Sequence, residues 1–76
     1  MANIKLWDKE NNYLWGYLEN NRFRIWDTSS NYIWGNLNGS NIQLWSDGGK
    51  YYHGKLSDNN IQLWDDYGNY FWGRID

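Results

Sequence analysis

The 76-residue chain has no cysteine and no proline, and only one methionine and one histidine. Without thiols, neither a disulfide nor a thiolate metal site can staple so small a domain, and the lone His53 makes no zinc site without several carboxylate partners. No metal or other cofactor is expected. No stretch approaches the roughly 20 apolar residues of a membrane span, and the N-terminus lacks the basic-then-apolar run of a signal peptide. The expectation is a soluble chain with no membrane partner. Seven Lys and Arg stand against nine Asp and Glu, a net charge of -2, and the cations are scattered singly. That distribution argues against duplex nucleic acid, whose binding rests on neutralising phosphates.

What the chain has in abundance is aromatic side chains, at 21% of residues, far above the content of a disordered segment. They recur with a period of 19 through the units Asn3–Asn21, Arg22–Ser40, Asn41–Asn59 and Asn60–Asp76, the last two residues shorter. Unit position 5 is Trp in every copy (Trp7, Trp26, Trp45, Trp64), and position 11 is always Tyr (Tyr13, Tyr32, Tyr51, Tyr70). Position 14 is always Gly (Gly16, Gly35, Gly54, Gly73), whereas position 13 is Trp15, Trp34, His53 and Trp72. A fixed period of this kind determines architecture before local propensity does, and any function is then carried several times over.

Within each unit two stretches alternate apolar and polar residues, as in Ile4-Lys5-Leu6-Trp7 and Tyr32-Ile33-Trp34-Gly35. Nineteen residues leave no room for a helix beside two strands, so each unit reads as a β-hairpin. Positions 7 to 9 suit a three-residue loop ending in a left-handed residue, with Asn11, Gly49 and Gly68 at that place and Ser30 as the exception. Asn20-Asn21, Gly39-Ser40 and Asp58-Asn59 suit two-residue loops between units. Those lengths set position 5 opposite 11 within a unit and 13 opposite position 5 of the next. The pairing drifts by two residues per hairpin, so four hairpins reach a shear of about 8. Eight strands with that shear form a self-consistent closed barrel.

The fold expected is therefore all-β: one domain, an eight-stranded antiparallel meander closed as a small barrel with fourfold pseudo-symmetry. The same faces would also serve an open hairpin ribbon or a curled sandwich. Aliphatic residues and glycine occupy even positions and fit so narrow an interior, whereas the Trp and Tyr at odd positions do not. They belong outside, where the register sets Trp15 opposite Trp26 and Trp34 opposite Trp45. Lys5 and Arg24 then lie across from Trp15 and Trp34, placed for cation-π contact.

An outer aromatic face has three readings. It stiffens a domain short of core; it stacks on sugar rings; or it packs against a protein partner or a second copy of the chain. For sugar binding, Trp7, Trp15, Trp26, Trp34, Trp45, Trp64 and Trp72 are the candidate platforms. Asp8, Asp27, Asp65, Gln43 and Gln62, which flank them in sequence, are candidate hydrogen-bonding groups. The leading expectation is a non-enzymatic, multivalent, lectin-like module. The alternative is an interaction or self-assembly module, with a homo-oligomer formed through the aromatic face. Single-stranded nucleic acid suits the aromatics but not the acidic balance. No nucleophile motif surrounds His53, so enzymatic activity is not expected, and His53 reads as a drifted aromatic position. In unit length and aromatic richness the hairpins resemble bacterial cell-wall-binding repeats such as the choline-binding modules. Those place a Gly-Trp pair early and a Trp-Tyr-Tyr run later, whereas here Gly follows Trp at Trp15-Gly16 and Trp34-Gly35, so no functional residue is carried over.

Overall fold

A computed structural model describes all 76 residues and consists of strands and turns. In chain order the strands are β1 (Ala2–Asp8), β2 (Tyr13–Glu19), β3 (Arg22–Asp27), β4 (Tyr32–Asn38), β5 (Asn41–Ser46), β6 (Tyr51–Ser57), β7 (Asn60–Asp65) and β8 (Tyr70–Ile75). Each pairs antiparallel with its neighbours, and β8 closes onto β1 to complete the barrel.

The register follows from the turns. Trp7 lies opposite Tyr13 and Trp26 opposite Tyr32 inside hairpins, while Trp15 faces Trp26 and Trp34 faces Trp45 between them. The closing pair sets Trp72 opposite Trp7, the same relation as at the other inter-unit joints. The two-residue drift thus repeats through all four hairpins, giving the shear of 8 and a strand tilt of roughly 36°.

The third residue of every three-residue loop is left-handed: Asn11, Ser30, Gly49 and Gly68 have φ between 63° and 81°. Ser30 adopts this conformation although it lacks the usual residue type, because the loop length demands it. Among the two-residue loops only Asn20-Asn21 has both residues at positive φ, whereas Gly39 and Asp58 are positive without their followers. The sign pattern is that of a I′ turn in the first case and a II′ turn in the other two.

Even positions point inward and form one core that includes Ile4, Leu6, Phe23, Ile25, Ile42, Leu44, Ile61 and Leu63. Leu18, Leu37, Leu56 and Ile75 pack against it from the end carrying the two-residue turns. The position-14 glycines allow strands to approach: a Cβ on Gly35 would overlap the Gln43 carbonyl oxygen and come within 2.7 Å of the Leu44 Cα. A side chain at any of the four would push the neighbouring strand away.

Candidate ligand-binding surface

All seven candidate Trp residues lie on the outer face, as does His53, and their order there is set by strand spacing. Hydrogen-bonded and non-hydrogen-bonded pairs alternate along an antiparallel ladder, and side chains are closer in the latter. Asp8 N–H donates to the Asn12 carbonyl at 3.2 Å, so by alternation Trp7 and Tyr13 form a close, non-hydrogen-bonded pair. Asp47 N–H donates to the Tyr32 carbonyl at 3.2 Å, which puts Trp34 and Trp45 in the wide kind. The rings follow. Trp and Tyr centroids within a hairpin are 5.3–5.8 Å apart, and each Tyr stacks on the next residue but one of its own strand.

The belt is therefore four triads: Trp7–Tyr13–Trp15, Trp26–Tyr32–Trp34, Trp45–Tyr51–His53 and Trp64–Tyr70–Trp72. The expected Trp15–Trp26 and Trp34–Trp45 pairs are neighbours in register, but their rings lean into separate triads. Tyr17 takes the place beside Trp26, at 5.8 Å. Across a joint, His53 and Trp64 do stack, with centroids 6.2 Å apart. Trp15, Trp34 and Trp72, the outer members of three triads, are 38–40% exposed. Trp45 is similarly open, whereas Trp7, Trp26 and Trp64 are half-buried.

The structure separates the candidate polar residues. Gln43 and Gln62 share the outer face with the aromatics, opposite His53 and Trp72. Asp8, Asp27 and Asp65 do not. Each follows a Trp by one residue, and consecutive strand residues point to opposite faces, so the carboxylates face the barrel mouth instead. There they hold the three-residue loops: Asp8 Oδ1 accepts the Glu10 and Asn12 N–H groups at 2.9 and 3.0 Å, and Oδ2 accepts the Asn12 amide at 3.0 Å. Asp27 and Asp65 repeat the pattern with Ser29 and Asn31, and with Tyr67 and Asn69. Burial pushes these carboxyls up, but the side-chain and backbone hydrogen bonds outweigh it, and all three titrate below the ordinary aspartate value. The alternation within the strand already carried the signal for this placement.

The third unit departs from the pattern at the mouth. Ser46 replaces the Asp and Lys50 the Asn, leaving one bond from Lys50 N–H to Ser46 Oγ at 3.2 Å. The freed Lys50 ammonium helps hold down Asp27 and Asp65. Tyr52, another third-unit variant, is buried beside it, and its phenol is pushed up by burial and by Asp65 and Asp27. The mouth encloses a cavity of about 300 Å³.

Sequence reasoning missed the outer clefts: one of about 320 Å³ on β2–β3, lined by Tyr17, Glu19, Arg22 and Arg24, and two that correspond between units. Of the corresponding two, one, about 190 Å³, lies on β3–β4 and is lined by Arg22, Arg24, Tyr32, Trp34 and Asn36. The other, about 380 Å³, occupies the corresponding place on β5–β6 and is lined by Asn41, Gln43, Tyr51, His53 and Lys55, with Trp64 beyond. Unit by unit the linings correspond, and His53 stands where Trp34 does, so the smaller imidazole leaves the larger cleft. As for the expected cation-π pairs, the register sets Lys5 beside Trp15, yet its ammonium meets Asp76 at 3.7 Å. Comparison of the chain with family models, curated proteins and solved structures finds no match.

Proposed function

We propose that the protein is a non-enzymatic, multivalent binding module that takes sugar rings on its outer aromatic face. The observation that carries this reading is the threefold recurrence of one arrangement. Tyr13, Tyr32 and Tyr70 each support a stacked Trp that stays more than a third exposed, on a barrel whose core is filled from the other face. Rings braced in this way lose little freedom when a flat, amphipathic ligand settles on them. Opposite the four position-13 residues lie Lys5, Arg24, Gln43 and Gln62, every one a hydrogen-bond donor. Asp8, Asp27 and Asp65 drop out of the proposed site, since their oxygens serve the turns. The quasi-equivalent positions face outward around a barrel, so one straight polymer cannot span them all. Repeated weak sites then gain strength by holding several chains or chain ends.

The test is a titration of Trp fluorescence with a panel of neutral and acidic oligosaccharides, repeated on Trp15→Ala, Trp34→Ala and Trp72→Ala. Under the proposal an oligosaccharide shifts or quenches the signal, and each variant loses part of the response while keeping its fold. A panel without any response, together with a concentration-dependent dimer in sedimentation, would refute it in favour of the interaction reading. The contiguous exposure of Trp34 and Trp45 across one joint supports that second reading.

A further inference from the structure

The cations that look scattered in sequence are sorted by the fold. The end bearing the three-residue loops carries Asp8, Glu10, Asp27, Asp47, Asp65 and Asp66 against Lys9 and Lys50 alone. The remaining five cations, Lys5, Arg22, Arg24, Lys55 and Arg74, all lie on the outer face toward the opposite end. Lys5 and Arg74 both meet Asp76 at 3.7 Å, whereas Arg22, Arg24 and Lys55 form no ion pair. Those three line the two corresponding clefts, neither of which contains a carboxylate, while on their other side Arg22 and Arg24 border the β2–β3 cleft with Glu19, which lies opposite Arg22. A chain of net negative charge thus keeps its unpaired cations beside its aromatic clefts.

We infer that the clefts on β3–β4 and β5–β6 select sugars bearing an anionic group. This rests on the carbohydrate reading and narrows it. In the first cleft Arg22 and Arg24 flank Trp34 and Tyr32, so an aromatic ring and two guanidinium forks bound one space. A guanidinium meets a carboxylate or sulfate through two parallel N–H bonds, which gives direction as well as attraction. In the second, Lys55 supplies a single ammonium and Gln43 an amide, and the His53 imidazole, stacked between Tyr51 and Trp64, leaves a wider opening above it than an indole would. The narrower site offers more charge and the wider one more shape. The acidic loop end repels a long polyanion, which favours short anionic segments over an extended single strand of nucleic acid.

Calorimetric titration with oligogalacturonate, its neutral methyl ester, a sulfated oligosaccharide of the same length and oligothymidylate tests the inference. The acid should bind at least about tenfold more tightly than the ester, with the advantage shrinking as salt rises. The sulfated arm decides which anion is preferred, and tighter binding than the ester by either anion supports the inference. Arg22→Gln with Arg24→Gln, and separately Lys55→Gln, should each reduce acid binding about tenfold at one site and so narrow the margin between acid and ester there. His53→Trp should reduce the wider site to the capacity of the narrow one at unchanged melting temperature. Equal affinity of the ester and both anionic sugars would overturn the anionic selection while leaving the carbohydrate reading intact. Tighter binding of oligothymidylate than of every oligosaccharide would overturn both.

Discussion

Replacing Gly35 with alanine should be among the most damaging single-methyl additions to this barrel. In an ordinary strand the same change stabilises by about 0.5–1 kcal/mol, because alanine loses less backbone freedom on folding. Here the new Cβ would overlap the Gln43 carbonyl oxygen and sit 2.7 Å from the Leu44 Cα, whereas carbon-to-oxygen contacts between strands are normally about 3.3–3.6 Å. Strands β4 and β5 must part by about 1 Å. The pairs on either side, Trp34–Trp45 and Asn36–Gln43, carry the ladder bonds, and closure denies β4 any edge toward which to relax. Losing two of those bonds at about 1–3 kcal/mol each, plus the strain of overpacking, comes to about 4 kcal/mol. Stability for a chain of this size is about 4–11 kcal/mol, so a third or more would be lost. Equilibrium unfolding in guanidinium chloride, followed by Trp fluorescence and far-ultraviolet dichroism, measures it. Gly39→Ala is the control, with open space around its Cβ but φ at +65°, and should lose only about 1–2 kcal/mol. A loss below 1 kcal/mol for Gly35→Ala would refute the close-approach argument.

Ser30→Gly relieves a left-handed serine at φ 66° and should stabilise by about 0.5–1 kcal/mol, read as a higher melting temperature. Asp65→Ala removes three bonds to its loop and should lose about 1–2 kcal/mol in denaturant unfolding. The depressed carboxyls of Asp8, Asp27 and Asp65 give a pH dependence of definite sign. Their contribution is fully present above the unfolded aspartate value near 4 and drains as pH falls through the lower folded values, so stability should hold from pH 7 to 5 and fall below about pH 4 in an acid titration. Trp26→Ala, between Tyr17 and Tyr32, should lose about 3 kcal/mol, clearly more than the exposed Trp34→Ala; equal losses would mean that burial does not rank the belt.

The barrel was legible because loop lengths are discrete: three residues and two residues leave one pairing, and that pairing has one shear. Parity then assigned the faces, and it could have placed Asp8, Asp27 and Asp65 inside, had it been applied to residues adjacent to the Trp as strictly as to the Trp themselves. Ring partners were less accessible. The facing pairs Trp7–Tyr13 and Trp15–Trp26 look alike on paper, and only the alternation of close and wide pairs tells which rings touch. The cleft at His53 was least visible, since a histidine among tryptophans reads as drift until the space left by the missing indole is seen. The sorting of charge toward one end likewise depends on laying the strands side by side, which scatters sequence neighbours and gathers distant residues.

The joint between β8 and β1 has the same register as the three joints that turns connect, and Asn3 and Asp76 exchange backbone bonds at 3.3 and 2.9 Å. Each hairpin meets its neighbours through interchangeable edges. A two-residue link from Asp76 to Asn3 would complete a ring, and opening that ring at Asn20-Asn21, Gly39-Ser40 or Asp58-Asn59 should return the same barrel. By the same logic, two separate halves divided at Gly39-Ser40 have matching edges on both sides and should assemble into one another's missing wall. The molecule is a circle of modules in which connectivity is secondary to the order of edges.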